Sequence, residues 1–227
     1  YLNPYAAAQT VTNEKQEDNL FGSLKADLEL SKSLTAGWFG SWRKTSSSEG
    51  YFMPAESTNA GAIDQKGFAN IRNQKQNEKL MNASLTYKKT FGIHSINALA
   101  LYEWQNQTYQ GNFAQARGFI NDKTTYNALQ LGDFSKVRVG DLESYKNDRT
   151  LVSFLGRVNY SLLNRYLFTG SFRRDGSSVF GVNNKWGDFP SASVAWQINK
   201  ESFMANQNLF NELKLRAGYG VTGNQQG

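Results

Sequence analysis

Gly218-Tyr219-Gly220-Val221-Thr222-Gly223 has the spacing of a dinucleotide-binding turn, in which glycines let the backbone approach a pyrophosphate. Such a turn needs a helix behind it and an acidic residue further on. Here residues 213–222 read as a strand, so the glycines are expected to relieve backbone crowding instead. His94 is the sole histidine and the chain has no cysteine, so neither a catalytic triad nor a thiolate metal site is expected. A surface turn is the expected setting for His94. Asp122, Asp133, Asp141, Glu143 and Asp148 offer the oxygen ligands that calcium takes, but without EF-hand spacing, which favours a solvated loop. The remaining candidates are Tyr109, Phe113, Arg117, Phe119 and Tyr126, mixed with Asn and Gln in the stretch 106–149. Aromatic rings and amides of this kind can stack on sugars or hold peptides. Tyr109, Phe113, Arg117 and Tyr126 are therefore candidate contacts for a glycan or peptide. The same mixture suits loop packing or contact with a covering protein. No catalytic residue, cofactor or resident metal is expected.

The elements that would carry these residues are strands. Thr150–Ser161 alternates Val152, Phe154, Val158 and Tyr160 with Ser153, Arg157 and Asn159. Side chains of a strand alternate faces, so one face is apolar and the other mostly polar. The pattern recurs over residues 19–31, 34–43, 80–88, 93–105, 166–173, 186–198 and 213–222, giving eight predicted strands. Short turns are expected after the first, third and fifth strands. Long polar stretches, 44–78 and 106–149, follow the second and fourth. A short helical connection with Asn199 as N-cap is expected over 199–211. Short turns at one end and long loops at the other is the layout of an outer-membrane barrel. That layout sets Trp38, Trp42 and Trp104 at one rim and Tyr87, Tyr160, Tyr166 and Trp196 at the other. Arg157 and Arg173 then face the lumen as polar lining.

Composition agrees with amphipathic strands. Hydrophobic residues make up 39% of 227, low for a deep two-sided core, while 14% aromatics argue against disorder. A net charge of +6 permits anionic partners, but the basic residues are scattered, and no nucleic-acid stripe forms. No apolar run approaches the length of a transmembrane helix, which leaves barrel strands open. Residues 1–13 lack the basic start and apolar stretch of a signal peptide.

The C-terminal third carries a more specific likeness. Residues 166–178 read YLFTGSFRRDGSS, followed by Phe180-Gly181, Trp186-Gly187, FPSASVAW at 189–196, Glu201-Ser202-Phe203 and LKLRAGYGVTGNQ at 213–225. These runs resemble SusC/RagA-type TonB-linked outer-membrane transporters of Bacteroidota. The resemblance implies a barrel of 22 strands, filled by an N-terminal plug and capped by a SusD-like surface lipoprotein. Residues 1–227 would be one partial barrel domain, an antiparallel transmembrane segment of about eight strands. Its loops would be long outside and its turns short on the periplasmic side. Plug, TonB box and signal peptide are expected to lie outside this chain. The implied function is TonB-driven uptake of a glycan or peptide across the bacterial outer membrane, with lipid, the lipoprotein and TonB as partners. A secreted or surface β-sandwich that binds carbohydrate is the alternative. It requires the apolar faces to close on a dry core.

Overall fold

The computed structural model describes residues 5, 10–57, 67–181, 185–206 and 209–223. Eight strands form one sheet in strict sequence order. They are β1 (Thr12–Ser31), β2 (Leu34–Met53), β3 (Phe68–Phe91), β4 (His94–Arg117), β5 (Leu142–Leu162), β6 (Tyr166–Ser177), β7 (Trp186–Gln197) and β8 (Lys214–Gly220). All eight predicted strands are present, and β5 through β8 pair antiparallel with unbroken registers. Tight turns join β1 to β2 at Lys32–Ser33, β3 to β4 at Gly92–Ile93, and β5 to β6 at Leu163–Arg165. Leu163 and Asn164 both take φ near +55°, as a very short antiparallel connection demands.

Two expectations need correction. Much of the stretches 44–78 and 106–149 is strand, not loop: β2 runs on to Met53, β3 begins at Phe68, β4 continues to Arg117, and β5 begins at Leu142. A membrane crossing needs only about 9–11 residues of strand, whereas β3 and β4 have 24 each. Strand that emerges into water on both sides has no reason to alternate apolar with polar, so its sequence resembles a loop. The second correction concerns the connection after β7. It holds two 3₁₀ turns, Ile198–Lys200 and Ser202–Met204, and Asn199 lies inside the first one. Its side-chain Oδ1 is buried with no hydrogen-bond partner, so it is not an N-cap.

The chain packs as two compact units. One comprises Tyr1–Phe21, Arg43–Glu78 and Gln107–Asp148; the other comprises Gly22–Trp42, Lys79–Asn106 and Arg149–Gly227. Among the described residues, the buried hydrophobic side chains (Phe52, Met53, Ala69, Phe119 and Ala128) all belong to the first unit. Phe119 meets Phe52 edge to face at 5.8 Å, and Ala116, Tyr126 and Leu129 close around them. The segment 118–141 is therefore a folded cover that shares a core with β2, β3 and the end of β4. Positive φ at Gly118 (+73°) starts it, and Gly118 N–H donates to the Gly67 carbonyl at 3.1 Å.

The second unit is built the other way round. Its buried side chains are Ser153, Asp175 and Ser177, and its apolar ones are open: Phe154, Val158, Phe168, Phe172 and Val194 are each 44–50% exposed. The registers collect them on one face. Phe154 pairs with Arg174, Tyr160 with Phe168, Phe168 with Val194, and Val194 with Ala217. Aromatic rings mark both ends of this face. At one, Phe154 lies 5.3 Å from Tyr102 and 6.2 Å from Trp186, with Arg174 over the indole at 5.4 Å. At the turn end, His94 stacks between Phe91 (5.3 Å) and Tyr160 (6.0 Å) and hydrogen-bonds the Tyr160 hydroxyl at 2.6 Å. His94 is thus part of an aromatic ladder rather than a solvated turn residue. An open apolar band edged by rings is what lipid requires, and among the described residues of this unit no dry core covers it.

On the opposite face Arg173 donates to Asp175 at 2.8 and 2.9 Å and to Ser153 Oγ at 3.0 Å, and lies 3.6 Å from Glu103. Cross-strand pairing sets Arg157 opposite Ser171 and Asn159 opposite Thr169 on that same face. At the turn end a single carboxylate gathers three donors. Glu201 accepts from Arg165 Nη1 (2.7 Å), the Tyr166 hydroxyl (2.8 Å) and Trp196 Nε1 (2.9 Å). These contacts, Trp196 foremost and Tyr166 next, hold its carboxyl below the usual carboxylate range. They tie the β5–β6 turn to the connection beyond β7.

A candidate ligand face on the long strands

Strand β4 carries Tyr109, Gly111, Phe113, Gln115 and Arg117 at alternate positions, so all five leave the sheet on one side. Tyr109 stacks on Tyr145 of β5 with centroids 6.4 Å apart, and Gln74 of β3 donates to the Tyr145 hydroxyl at 3.2 Å. Gly111 makes room for that ring. A Cβ there would come within 2.7 Å of the Tyr145 hydroxyl oxygen and 2.8 Å of the Asn73 carbonyl oxygen. Phe113 sits under the Arg72 guanidinium at 5.2 Å. Nearby on the same side Glu78 accepts from Gln76 (2.7 Å) and Gln107 (3.2 Å) and lies 3.7 Å from Arg43, which covers Phe21. Rings, amides and one carboxylate thus share a continuous surface.

Arg117 shares that parity but is buried. Its Nη1 donates to Asp141 Oδ2 at 2.6 Å, and its guanidinium lies 5.8 Å from the centre of the Phe68 ring. Asp141, about 1% exposed, also accepts from the Gln115 amide side chain and from the Arg138 N–H at 2.6 Å. The Arg117 hydrogen bond is the main reason its carboxyl lies far below the usual range, against the opposing effect of burial. The pair anchors the end of the cover where the chain enters β5, just after Gly140 at φ +91°. Arg117 therefore works for the fold.

Tyr126 comes out on the other side of the sheet from Tyr109. Its ring fills the space beside Gly50, where any Cβ would collide with it, and its hydroxyl donates to Glu14. That hydrogen bond raises the phenol above its ordinary pKa. Phe119 joins the same packing. Of the candidates named from sequence, the fold brings Tyr109 and Phe113 together on one open face. It places Tyr126 and Phe119 in the core of the cover. Tyr145, Gln74 and Arg72 were missed because they lie in stretches that read as loop. Continuing the alternation through Gln74, Gln76 and Glu78 would have found their face.

The acidic residues of residues 118–148 are dispersed among separate tasks. Asp133 Oδ1 accepts from Ser135 N–H (3.0 Å) and Oγ (2.6 Å), Asp141 holds Arg117, and Asp148 accepts from Thr108 (2.6 Å). Among the described residues no three acidic or histidine side chains gather to hold a metal ion.

No family model matches the chain. Among curated proteins it is 34% identical over 222 residues to TonB-dependent receptor P3 of Formosa agariphila, covering 98% of this chain and 22% of that receptor. It is 40% identical over 144 residues to TonB-dependent receptor SusC of Bacteroides thetaiotaomicron, covering 63% of this chain and 14% of SusC. Among solved structures it matches the RagAB peptide transporter with a TM-score of 0.83 and 23% identity, over 96% of this chain and 24% of that one. The chain thus spans about a fifth of the length of the first of these relatives. The shared sequence, the order of eight antiparallel strands and the open apolar band lead to one placement: this chain is a stretch of β-barrel wall from a SusC/RagA-type TonB-dependent receptor of the outer membrane.

Proposed function

We propose that the receptor to which this chain belongs imports an oligomeric nutrient, a glycan or a peptide, across the outer membrane, with energy delivered through TonB. It makes and breaks no covalent bond. Residues 1–227 serve as one part of its barrel domain, and a SusD-like surface lipoprotein covers the receptor from outside. Both named relatives from the curated proteins are TonB-dependent receptors, and RagAB is a peptide transporter. The observation that carries the reading is the face of β3, β4 and β5 where Tyr109 and Tyr145 stack beside Gln74, Arg72 and Phe113. Stacked rings give a flat apolar platform, and the adjacent amide and guanidinium supply directional hydrogen bonds. Sugar rings and peptide backbones both need that combination.

The test is uptake of labelled oligosaccharide and peptide mixtures by cells carrying the full-length receptor. Replacing Tyr109 and Tyr145 together by Ala should weaken uptake of the true substrate roughly tenfold or more, as loss of an aromatic contact in a binding centre does. Tyr126→Phe, on the other side of the sheet, should leave uptake unchanged. Wild-type uptake by the double tyrosine variant would sink the assignment of this face. Purification of the receptor without any surface lipoprotein would remove the capping partner.

A further inference from the structure

The face of β3, β4 and β5 that carries Tyr109 continues onto β2 and β1, all within the first unit. Arg43 of β2 meets Glu78 of β3, and Gln107 of β4 donates to the same carboxylate. Alternation then puts Thr45 and Ser47 on the side of Gln76, Gln74 and Tyr109. Thr45 Oγ1 donates to Asn19 Oδ1 at 2.6 Å, which brings β1 into the same surface. These side chains make an uncharged band across five strands, roughly 19 Å long at the ordinary spacing between strands. Its centre is the Tyr109–Tyr145 stack, whose rings are 42% and 38% exposed. Gly111 leaves the gap that lets the Tyr145 ring lie there.

Charge is kept to the margins of this band, and there it is balanced. Along one margin Arg43 lies 3.7 Å from Glu78. At the β1 end Glu17 lies 3.3 Å from Lys15 and accepts from Asn19 Nδ2 at 2.9 Å. Along the other margin Arg72 leans on Phe113, and Glu49 of β2 and Glu143 of β5 share its side of the sheet. One cation set among two carboxylates gives an anionic ligand no net attraction. A charged group laid on the band itself would give up water without gaining a partner of opposite sign, which is costly. Hydroxyl groups meet no such cost. Gln74 spends one N–H on the Tyr145 hydroxyl and Gln76 spends one on Glu78, so each amide keeps its oxygen and its other N–H for a ligand. We infer that the imported ligand is an uncharged oligosaccharide that lies across the strands, with one sugar ring on the tyrosine stack and neighbouring hydroxyls on Gln74 and Gln76. Uronic-acid glycans are rejected, and so are peptides, which carry charged ends.

This selectivity rests on the reading of the face as the import site. Its test is competitive uptake by cells carrying the full-length receptor. They are offered one mixture of neutral oligosaccharides, uronic-acid oligosaccharides and a tryptic peptide digest, and the imported species are identified by mass spectrometry. Neutral chains should be enriched roughly tenfold or more over both charged classes. Gln74→Lys keeps a donor for the Tyr145 hydroxyl but brings a cation into the band. At unchanged receptor abundance it should cut the preference for neutral over uronic-acid chains roughly tenfold. Equal import of neutral and acidic chains, enrichment of peptides, or an unaltered preference in Gln74→Lys would each overturn the inference. Any of these, combined with impaired uptake by the double tyrosine variant, would leave the face as the import site and remove only its selectivity. Wild-type uptake by the double tyrosine variant would remove the site itself.

Discussion

The two units of this chain solve opposite problems with the same strands. In one, Phe52, Ala69 and Phe119 are buried together, beside the buried Arg117–Asp141 pair, while Tyr109 and Tyr145 stay open among polar neighbours. In the other, Ser153, Asp175 and Ser177 are buried and the phenylalanines and valines are open. Water surrounds the first, so its apolar groups must cover one another. Lipid bathes one face of the second, so its apolar groups need no protein partner, and its polar groups turn to the opposite face. Burial by itself therefore does not identify a core. What identifies it is which kind of side chain is hidden.

The sharpest way to break the comparison is at the buried ion pair. Asp141→Ala leaves the Arg117 guanidinium buried without its partner and should cost about 3–5 kcal/mol. The loss should be confined to the first unit, read as faster proteolysis between Gly118 and Asp141 while the detergent-protected strands stay intact. A variant that unfolds as a whole at the same denaturant concentration would show the two units to be one cooperative body. Next in size is a charge on the apolar band. Val158→Arg should destabilise by about 2–4 kcal/mol if its site lies near the bilayer midplane. Ser48→Arg, in the first unit, should change little. Equal effects in a bilayer unfolding titration would erase the distinction between the units.

How far the sequence revealed these units follows from the same contrast. Every strand in contact with lipid was legible, because lipid on one side and polar surroundings on the other write an alternation into residues such as 150–161. The extensions of β2 to β5 were harder to read because neither of their faces is continuously apolar: Tyr109, Phe113 and Tyr145 are set among Gln, Asn and Lys. Phe52 and Phe119 are far apart in sequence and meet only through tertiary folding. Arg117 and Asp141 left no local pattern either, since an ion pair has no periodicity. Only Gly118 and Gly140, flanking the cover, were available hints of sharp turns. Tyr109 and Phe113 were legible as binding candidates by type, and the strand parity that separates them from Tyr126 was not.

Two smaller effects sharpen the picture at the turn end. Glu201 has a folded pKa below its ordinary value. The stability it contributes is present above the unfolded value near 4.5 and is lost as pH falls through the folded one. A wild-type receptor should therefore lose stability on acidification over that window, and Glu201→Gln should flatten the slope. Identical pH profiles would dismiss the role of the carboxylate. Leu163→Gly removes a left-handed leucine. It should be neutral or stabilise by at most about 1 kcal/mol, because relieved strain exceeds the added chain freedom only slightly. A clear loss in thermal unfolding would mean that the leucine side chain contributes more than its backbone costs.

The turns themselves are clipped to their neighbours. Lys88 N–H donates to the Ser33 carbonyl at 2.8 Å, Leu163 N–H to the Ile93 carbonyl at 2.8 Å, and Gln197 N–H to the Arg165 carbonyl at 2.8 Å. Such a rim behaves like a stitched hem, in which lengthening one loop pulls on the next. Epitope tags and fluorescent insertions placed at residues 32–33 or 92–93 would then disturb several hairpins at once. Differences in length among related receptors should accordingly collect at the far ends of the strands.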